Sequence, residues 1–209
     1  MCFHTKQTKK VKEVEKRFNA KFDHAATFQS EELINGFSFP KTAIITNKTP
    51  NIISQYNWGL VPAWSKDSSI RQYTLNARVE TLTEKPSFKN IINQRCLVLV
   101  NGFYEWKWLN AKGTKKQKYL LRLPKDELFA FAGLWSSWKS EGVEIYSYTI
   151  VTTEANELMA EIHNSKRRMP IVLSTQNEND WLQGAGIEGF TKSDIKLEAV
   201  EMSSQQSLF

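Results

Sequence analysis

Cysteine and histidine are scarce in this chain: 209 residues hold two of the first and three of the second. Two cysteines, Cys2 and Cys96, build no disulfide framework. The same few residues lie scattered, without the paired spacing that a zinc site needs. The nine glycines form no phosphate-cradling loop. No apolar run reaches the length of a membrane span, and the lysine-rich start lacks the apolar stretch of a signal peptide. Internal repeats and low-complexity linkers are also missing. The expectation is a single domain over 1–209, with no metal, no cofactor and no membrane contact, working as a monomer in a reducing cytoplasm.

What the chain does have is aromatic bulk. Hydrophobic residues make up 41%, with seven Trp and twelve Phe, enough for a substantial core and too much for a disordered chain. The net charge of +6 modestly favours an anionic partner.

Periodicity gives a coarse map. In KKVKEVEKRFNA, Val11, Val14 and Phe18 recur at helical spacing, so a short amphipathic helix is expected over 9–20. A second is expected from Ser30. The segment from Thr42 to Ile45 reads as a strand and WGLVPAW (58–64) as a rigid turn. In TLNARVE, Leu75, Ala77 and Val79 alternate with Asn76, Arg78 and Glu80. Ser87 is expected to cap a helix reaching Asn93. RCLVLVNGFYEWKW reads as one long strand with Gly102 at a bulge or close approach, paired with QKYLLRL. LFAFAGLW and IYSYTIVTT add strands. Thr153 is expected to cap a helix ending near His163, and Thr175 with Glu178 another that stops at Gly184. Further strands fall before a tail ending SSQQSLF. The sum is an α+β domain on a mostly antiparallel, barrel-like β core with several short helices.

The second residue carries unusual chemistry. Aminopeptidases remove Met1 when a small residue follows, and Cys2 qualifies. The new terminus is a 1,2-aminothiol. Its α-amine, with pKa about 7.7–8.0, is free base roughly two orders of magnitude more often than a lysine. The amine can condense with an aldehyde, and the thiol, of pKa about 8.5, can then close a five-membered thiazolidine. A lysine Schiff base has no such internal trap. The substrate that suits this terminus is an aldehyde.

Five segments in order, WGLVPAW, LNARVET, RCLVLVNGFYEW, FAGLW and EIHNSKRRMPIVL, closely resemble the SOS response-associated peptidase (SRAP) family, whose members are also called abasic-site-processing proteins. The resemblance spans residues 2–182, with 183–209 as an extension of the same domain. It implies the SRAP fold and recognition of abasic sites in single-stranded DNA during the DNA damage response. It also implies a covalent cross-link through the N-terminal cysteine, with the protein in the cytoplasm at the nucleoid during repair. By that resemblance Cys2 is the nucleophile and Asn76 holds the terminus and sugar. Glu105 moves protons and drives lyase-type cleavage, and His163 opens the sugar ring as acid and base. Arg78 and Arg168 hold phosphates.

On the residues alone, duller readings stand beside these. Asn76 can serve a strand end, Glu105 can be an exposed acid, and His163 can be a capping histidine. Trp58 and Trp64 are ordinarily core, and only Trp64 is kept as a base-stacking candidate. Basic runs occur at Lys6–Lys16, Lys112–Lys118 and Lys166–Arg168, the last beside His163. Two departures from the family pattern stand out. The chain begins MCFH where many members begin MCGR, putting His4 where an arginine approaches DNA. The stretch from His163 to Arg168 is also longer than usual. Two alternatives remain: a thiol hydrolase using Cys2 and His163, and a non-catalytic nucleic-acid-binding domain.

Overall fold

In the computed structural model, which describes residues 2–140, 142–192 and 195–203, the alternating segments become two sheets. The chain begins with β1 (His4–Gln7), α1 (Val11–Phe18), β2 (Lys21–Phe22), β3 (Glu31–Asn35), β4 (Lys41–Thr46) and β5 (Ile52–Trp58). It continues through β6 (Asn76–Arg78), β7 (Arg95–Val100), β8 (Gly102–Trp108), β9 (Lys116–Arg122), β10 (Phe129–Ser140) and β11 (Val143–Glu154). Last come α2 (Glu157–Ile162), β12 (Arg168–Pro170), β13 (Val172–Leu173), α3 (Thr175–Leu182) and β14 (Glu198–Glu201). One sheet has the order β14-β9-β8-β1-β3. In the other, β11, β10, β7, β4 and β5 follow one another, and β5 pairs back to β11, closing a mostly antiparallel barrel. The expected α+β, barrel-like fold is what forms.

β7 shows why the core holds. Its run RCLVLV is buried on both faces. Leu97 and Leu99 enter one apolar cluster, while Cys96, Val98 and Val100 enter another that includes Phe103, Phe131 and Cys2. Each large side chain buried this way contributes about 1.5–3 kcal/mol. Cys96 is thus a core residue.

Several local expectations need correction. The segment after Ser30 is the strand β3, because its backbone pairs with β1. RCLVLVNGFYEWKW is two strands in two sheets, broken at Asn101. That buried side chain accepts from the Thr8 N–H and donates to Thr8 Oγ1 and Asp126. Gly102 does mark a close approach, since a Cβ there would lie 2.9 Å from Leu120 Cδ1. The expected helix from Ser87 is only a 3-10 turn, Lys89–Ile91. Thr153 lies in β11, and α2 is capped by Asn156, whose Oδ1 accepts from the Met159 N–H. Ser174, one residue before Thr175, caps α3, and Glu178 pairs with Arg17. Gly184 follows α3 with φ +86°. The start of the tail forms β14, while Met1 and residues 204–209 lie outside the described residues.

Candidate active site

Asn76 reaches Cys2 because a strand and a buried indole fix its backbone. β6 runs parallel to β11 with Asn76 opposite Ile150. The preceding carbonyl, of Leu75, accepts from Trp58 Nε1 at 2.9 Å and from the Ile150 N–H at 3.2 Å. The turn after Trp58 needs Gly59, whose φ is +108° and whose absent Cβ would meet Phe39 at 2.9 Å. From this base Asn76 Nδ2 donates to the Cys2 carbonyl oxygen at 2.8 Å. Its Oδ1 is buried and accepts no hydrogen bond among the described residues. The Phe3 carbonyl accepts from the Gly36 N–H at 2.8 Å, so both carbonyls of the Cys2–Phe3 pair are clamped.

The Cys2 side chain is fully buried, in the cluster that includes Trp58, Leu75 and Tyr148. Burial and the neighbouring Glu105 charge push its thiol well above the ordinary range. Sγ lies 3.8 Å from the His4 carbonyl, a weak donor contact. At neutral pH this sulfur is a thiol, not a thiolate.

Glu105 sits on β8 opposite Tyr119 and is only 5% exposed. The exposed-acid reading fails because this face of β8 turns toward α2. Lys107, two residues on, pairs with Glu161 of that helix at 2.6 Å. Burial pushes the Glu105 carboxyl up to about 7, against the opposing hydrogen bond from the Trp106 N–H. At neutral pH the group is therefore divided between acid and carboxylate.

His163 ends α2 and is 6% exposed. The chain turns tightly after it: the Arg167 N–H donates to the His163 carbonyl at 2.8 Å, and Arg167 takes a left-handed φ of +49°. That turn brings the Arg168 carbonyl within 2.7 Å of Nδ1. The Arg168 N–H also reaches Nδ1, at 3.3 Å, so the backbone of Arg168 meets this ring nitrogen with both its donor and its acceptor. Burial, with the Arg168 and Lys166 charges adding to it, holds the ring below its ordinary pKa, hence neutral at pH 7. The same turn is stitched to β8: the Asn164 amide accepts from the Trp108 N–H at 3.0 Å and donates to its carbonyl at 2.9 Å. The longer His163–Arg168 segment is thus ordered against the strand that carries Glu105.

The expected phosphate contacts divide. Arg78 is exposed and shares a face of β6 with Asn76. Arg168 has its guanidinium engaged inside the chain. Nη1 and Nη2 grip Glu80 at 2.6 and 2.9 Å, and Nη2 also donates to the Thr152 carbonyl at 2.8 Å. Lys166 and Arg167 are the members of that cluster left in solvent. His4 packs edge-on against Trp106, ring centroids 4.8 Å apart. Burial and the Lys118 charge lower its pKa, so it is no substitute cation at neutral pH. Trp58 is core, while Trp64 is 55% exposed, with Nε1 donating to the Pro86 carbonyl. Glu80 and Asn164 were missed as positioning residues. The alternation in TLNARVE placed Glu80 on the polar face, but nothing local pointed to its partner.

Among the described residues, no group of three or more His, Cys, Asp and Glu is arranged to hold a metal. Nor is any helix among them long and apolar enough to cross a membrane.

The fold thus presents a strand-held amide on Cys2, a buried carboxyl at Glu105 and a buried histidine at His163. The family model for SOS response associated peptidase (SRAP) matches residues 1–204, and the chain belongs to that family. The abasic site processing protein YoqW of Bacillus subtilis is 45% identical over 141 residues, covering 66% of this chain and 61% of its own length. The abasic site processing protein HMCES of Mus musculus is 31% identical over 185 residues, 73% of this chain and 50% of its own length. The chain thus spans between half and about three-fifths of these relatives. A protein of Bacteroides thetaiotaomicron of solved structure superposes with a TM-score of 0.88 at 31% identity, over 97% of this chain and 93% of that one. A Bordetella bronchiseptica protein shares the fold, with a TM-score of 0.81 at 22% identity over 96% of this chain and 99% of that one.

Proposed function

We propose that this chain captures abasic sites in single-stranded DNA. Removal of Met1 would free the Cys2 aminothiol, which closes on the open-chain deoxyribose aldehyde as a thiazolidine. The amine adds to the aldehyde carbon, and the resulting hydroxyl leaves as water. The thiol then adds across the imine, its proton ending on nitrogen. The net change is loss of one water.

One convergence carries this reading. The Asn76 amide fixes Cys2 at 2.8 Å, while Glu105, titrating near 7, lies close enough for its charge to act on the Cys2 thiol. A carboxyl divided between its two forms can protonate the departing hydroxyl and then take the thiol proton. Neutral His163 suits opening of the closed sugar. Asn76 Oδ1 offers an acceptor to the freed ammonium or a sugar hydroxyl. Arg78, Lys166 and Arg167 supply exposed charge for phosphates, and Trp64 a surface for a neighbouring base. Arg168 acts as a positioning residue through Glu80. A thiol-hydrolase reading fits less well, because it needs a thiolate and burial disfavours one here.

Intact-mass spectrometry tests the proposal, before and after incubation with single-stranded DNA carrying one abasic site. The expected result is loss of Met1, then a one-to-one adduct lighter than the sum by one water, absent in Cys2→Ala. Retained Met1, or protein left unmodified, would overturn covalent capture.

A further inference from the structure

The sheet face opposite Glu105 carries an unassigned pattern. Side chains alternate along β8, so Tyr104, Trp106 and Trp108 share the face turned away from the carboxyl. Their cross-strand partners include lysines: Trp106 lies opposite Lys118 and Trp108 opposite Lys116. On the other flank His4 of β1 lies opposite Tyr104. Lys118 Nζ stands 4.1 Å from the Tyr104 ring centroid and 5.8 Å from that of Trp106, and Lys116 Nζ stands 5.7 Å from that of Trp108. The result is a stripe of interleaved rings and ammonium groups. Tyr104 itself is buried, so the open part runs from Trp106 to Trp108, about 7 Å at about 3.3 Å per residue.

Such a face can be an ordinary solvated surface that its own cation–π contacts stabilise. Two observations weigh against that. Lys116 and Lys118 enter no ion pair among the described residues, although carboxylates lie on the same sheet. Glu32 is taken by Tyr104 Oη and Lys6, and Glu201 by Tyr119 on the opposite face. Trp106 and Trp108 are also only half-buried, so their rings stay partly open. The stripe adjoins the site as well. β8 continues past its last pairing with β1, at His4–Tyr104, into Glu105 and Trp106.

We infer that the Trp106–Trp108 and Lys116–Lys118 stripe is a second binding surface for single-stranded DNA, holding the undamaged arm that flanks the captured site. It rests on the reading of Cys2 as the abasic-site reagent. Lysines there would take phosphates and the indoles would take bases without regard to sequence.

The test uses the full chain with Lys116→Gln/Lys118→Gln, fluorescence anisotropy with an undamaged labelled 15-nucleotide strand, and a salt series. The expected result is about tenfold weaker binding, with a salt slope shallower by about 1.4 for two lost phosphate contacts. Lys116→Arg/Lys118→Arg should keep both. Ultraviolet cross-linking of a 5-iodouracil strand to the unmodified protein reads the same face without a variant, and label should appear in peptides from 102 to 118. Unchanged affinity and slope, or label confined to other peptides, would overturn the surface. Equal losses toward duplex DNA and heparin would overturn its assignment to single strands. The covalent reading is judged separately: no adduct with weakened variant binding sinks capture and keeps the stripe, and an adduct with unchanged binding does the reverse.

Discussion

The Asn76 side chain donates to the Cys2 carbonyl across 2.8 Å, although the two residues lie 74 positions apart. On the proposed reading, the bond fixes the residue whose amine and thiol must both meet an incoming carbon. Its loss should therefore act on rate before stability. Asn76→Ala removes one neutral hydrogen bond, worth about 1 kcal/mol. Single-turnover cross-linking should fall about tenfold or more while the melting temperature moves little. Asn76→Asp should be slower still, since it sets a carboxylate against a carbonyl. Equal rates in all three proteins would remove Asn76 from the reaction.

Glu105 makes a prediction about pH. Its carboxyl titrates near 7 in the folded protein, against an ordinary value of 4.5. Below pH 4.5 both folded and unfolded chains hold the proton, so there is no difference. Between 4.5 and 7 the unfolded chain loses it first, so stability falls as pH rises. The full penalty, about 3 kcal/mol, is reached above 7. Glu105→Gln should thus gain stability relative to the natural chain across that window, even as cross-linking slows by about a hundredfold. Urea melts at pH 5 and pH 8 read the first effect, and a constant difference between the two pH values would contradict the buried-carboxyl account.

The barrel was legible in the sequence; the side-chain partners were not. Alternation in TLNARVE put Asn76 and Arg78 on one face, which holds in β6. The run RCLVLVNGFYEW could not reveal its break, because Asn101 is satisfied by Thr8 and Asp126, both distant in sequence. The same blindness misassigned the segment after Ser30. Its strand character comes from pairing with β1, not from its own periodicity. Arg168 looked like a phosphate ligand because Glu80, 88 residues away, was not visible as its partner.

His163 should show its role in the acid limb of the rate profile. Burial lowers its pKa, so the base form persists below the ordinary value of about 6.5 and is lost only as pH falls further. Removing the ring should slow capture of a closed-ring abasic site by about a hundredfold, with binding of the strand retained. The acid limb should vanish in His163→Ala if this imidazole causes it. Loss of strand affinity in that variant would mean that the histidine serves structure instead.

Arg168 separates an internal clamp from a phosphate contact. Its fork grips both oxygens of Glu80 and also the Thr152 carbonyl, which leaves it poorly placed to lose counterions to DNA. Arg168→Lys keeps the charge but cannot reproduce the planar two-point grip. With Glu80 partly exposed, breaking the pair should cost about 1–3 kcal/mol of stability, between surface and buried values. The His163 turn loosens with it, so cross-linking should slow. Glu80→Ala should reproduce both effects without touching any cation. The decisive measurement is the salt dependence of strand binding. A phosphate ligand replaced by a neutral residue flattens that slope by about 0.7, whereas an internal clamp leaves it unchanged. An unchanged slope in Arg168→Gln, beside a flattened one in Arg78→Gln, would place the two arginines in different roles.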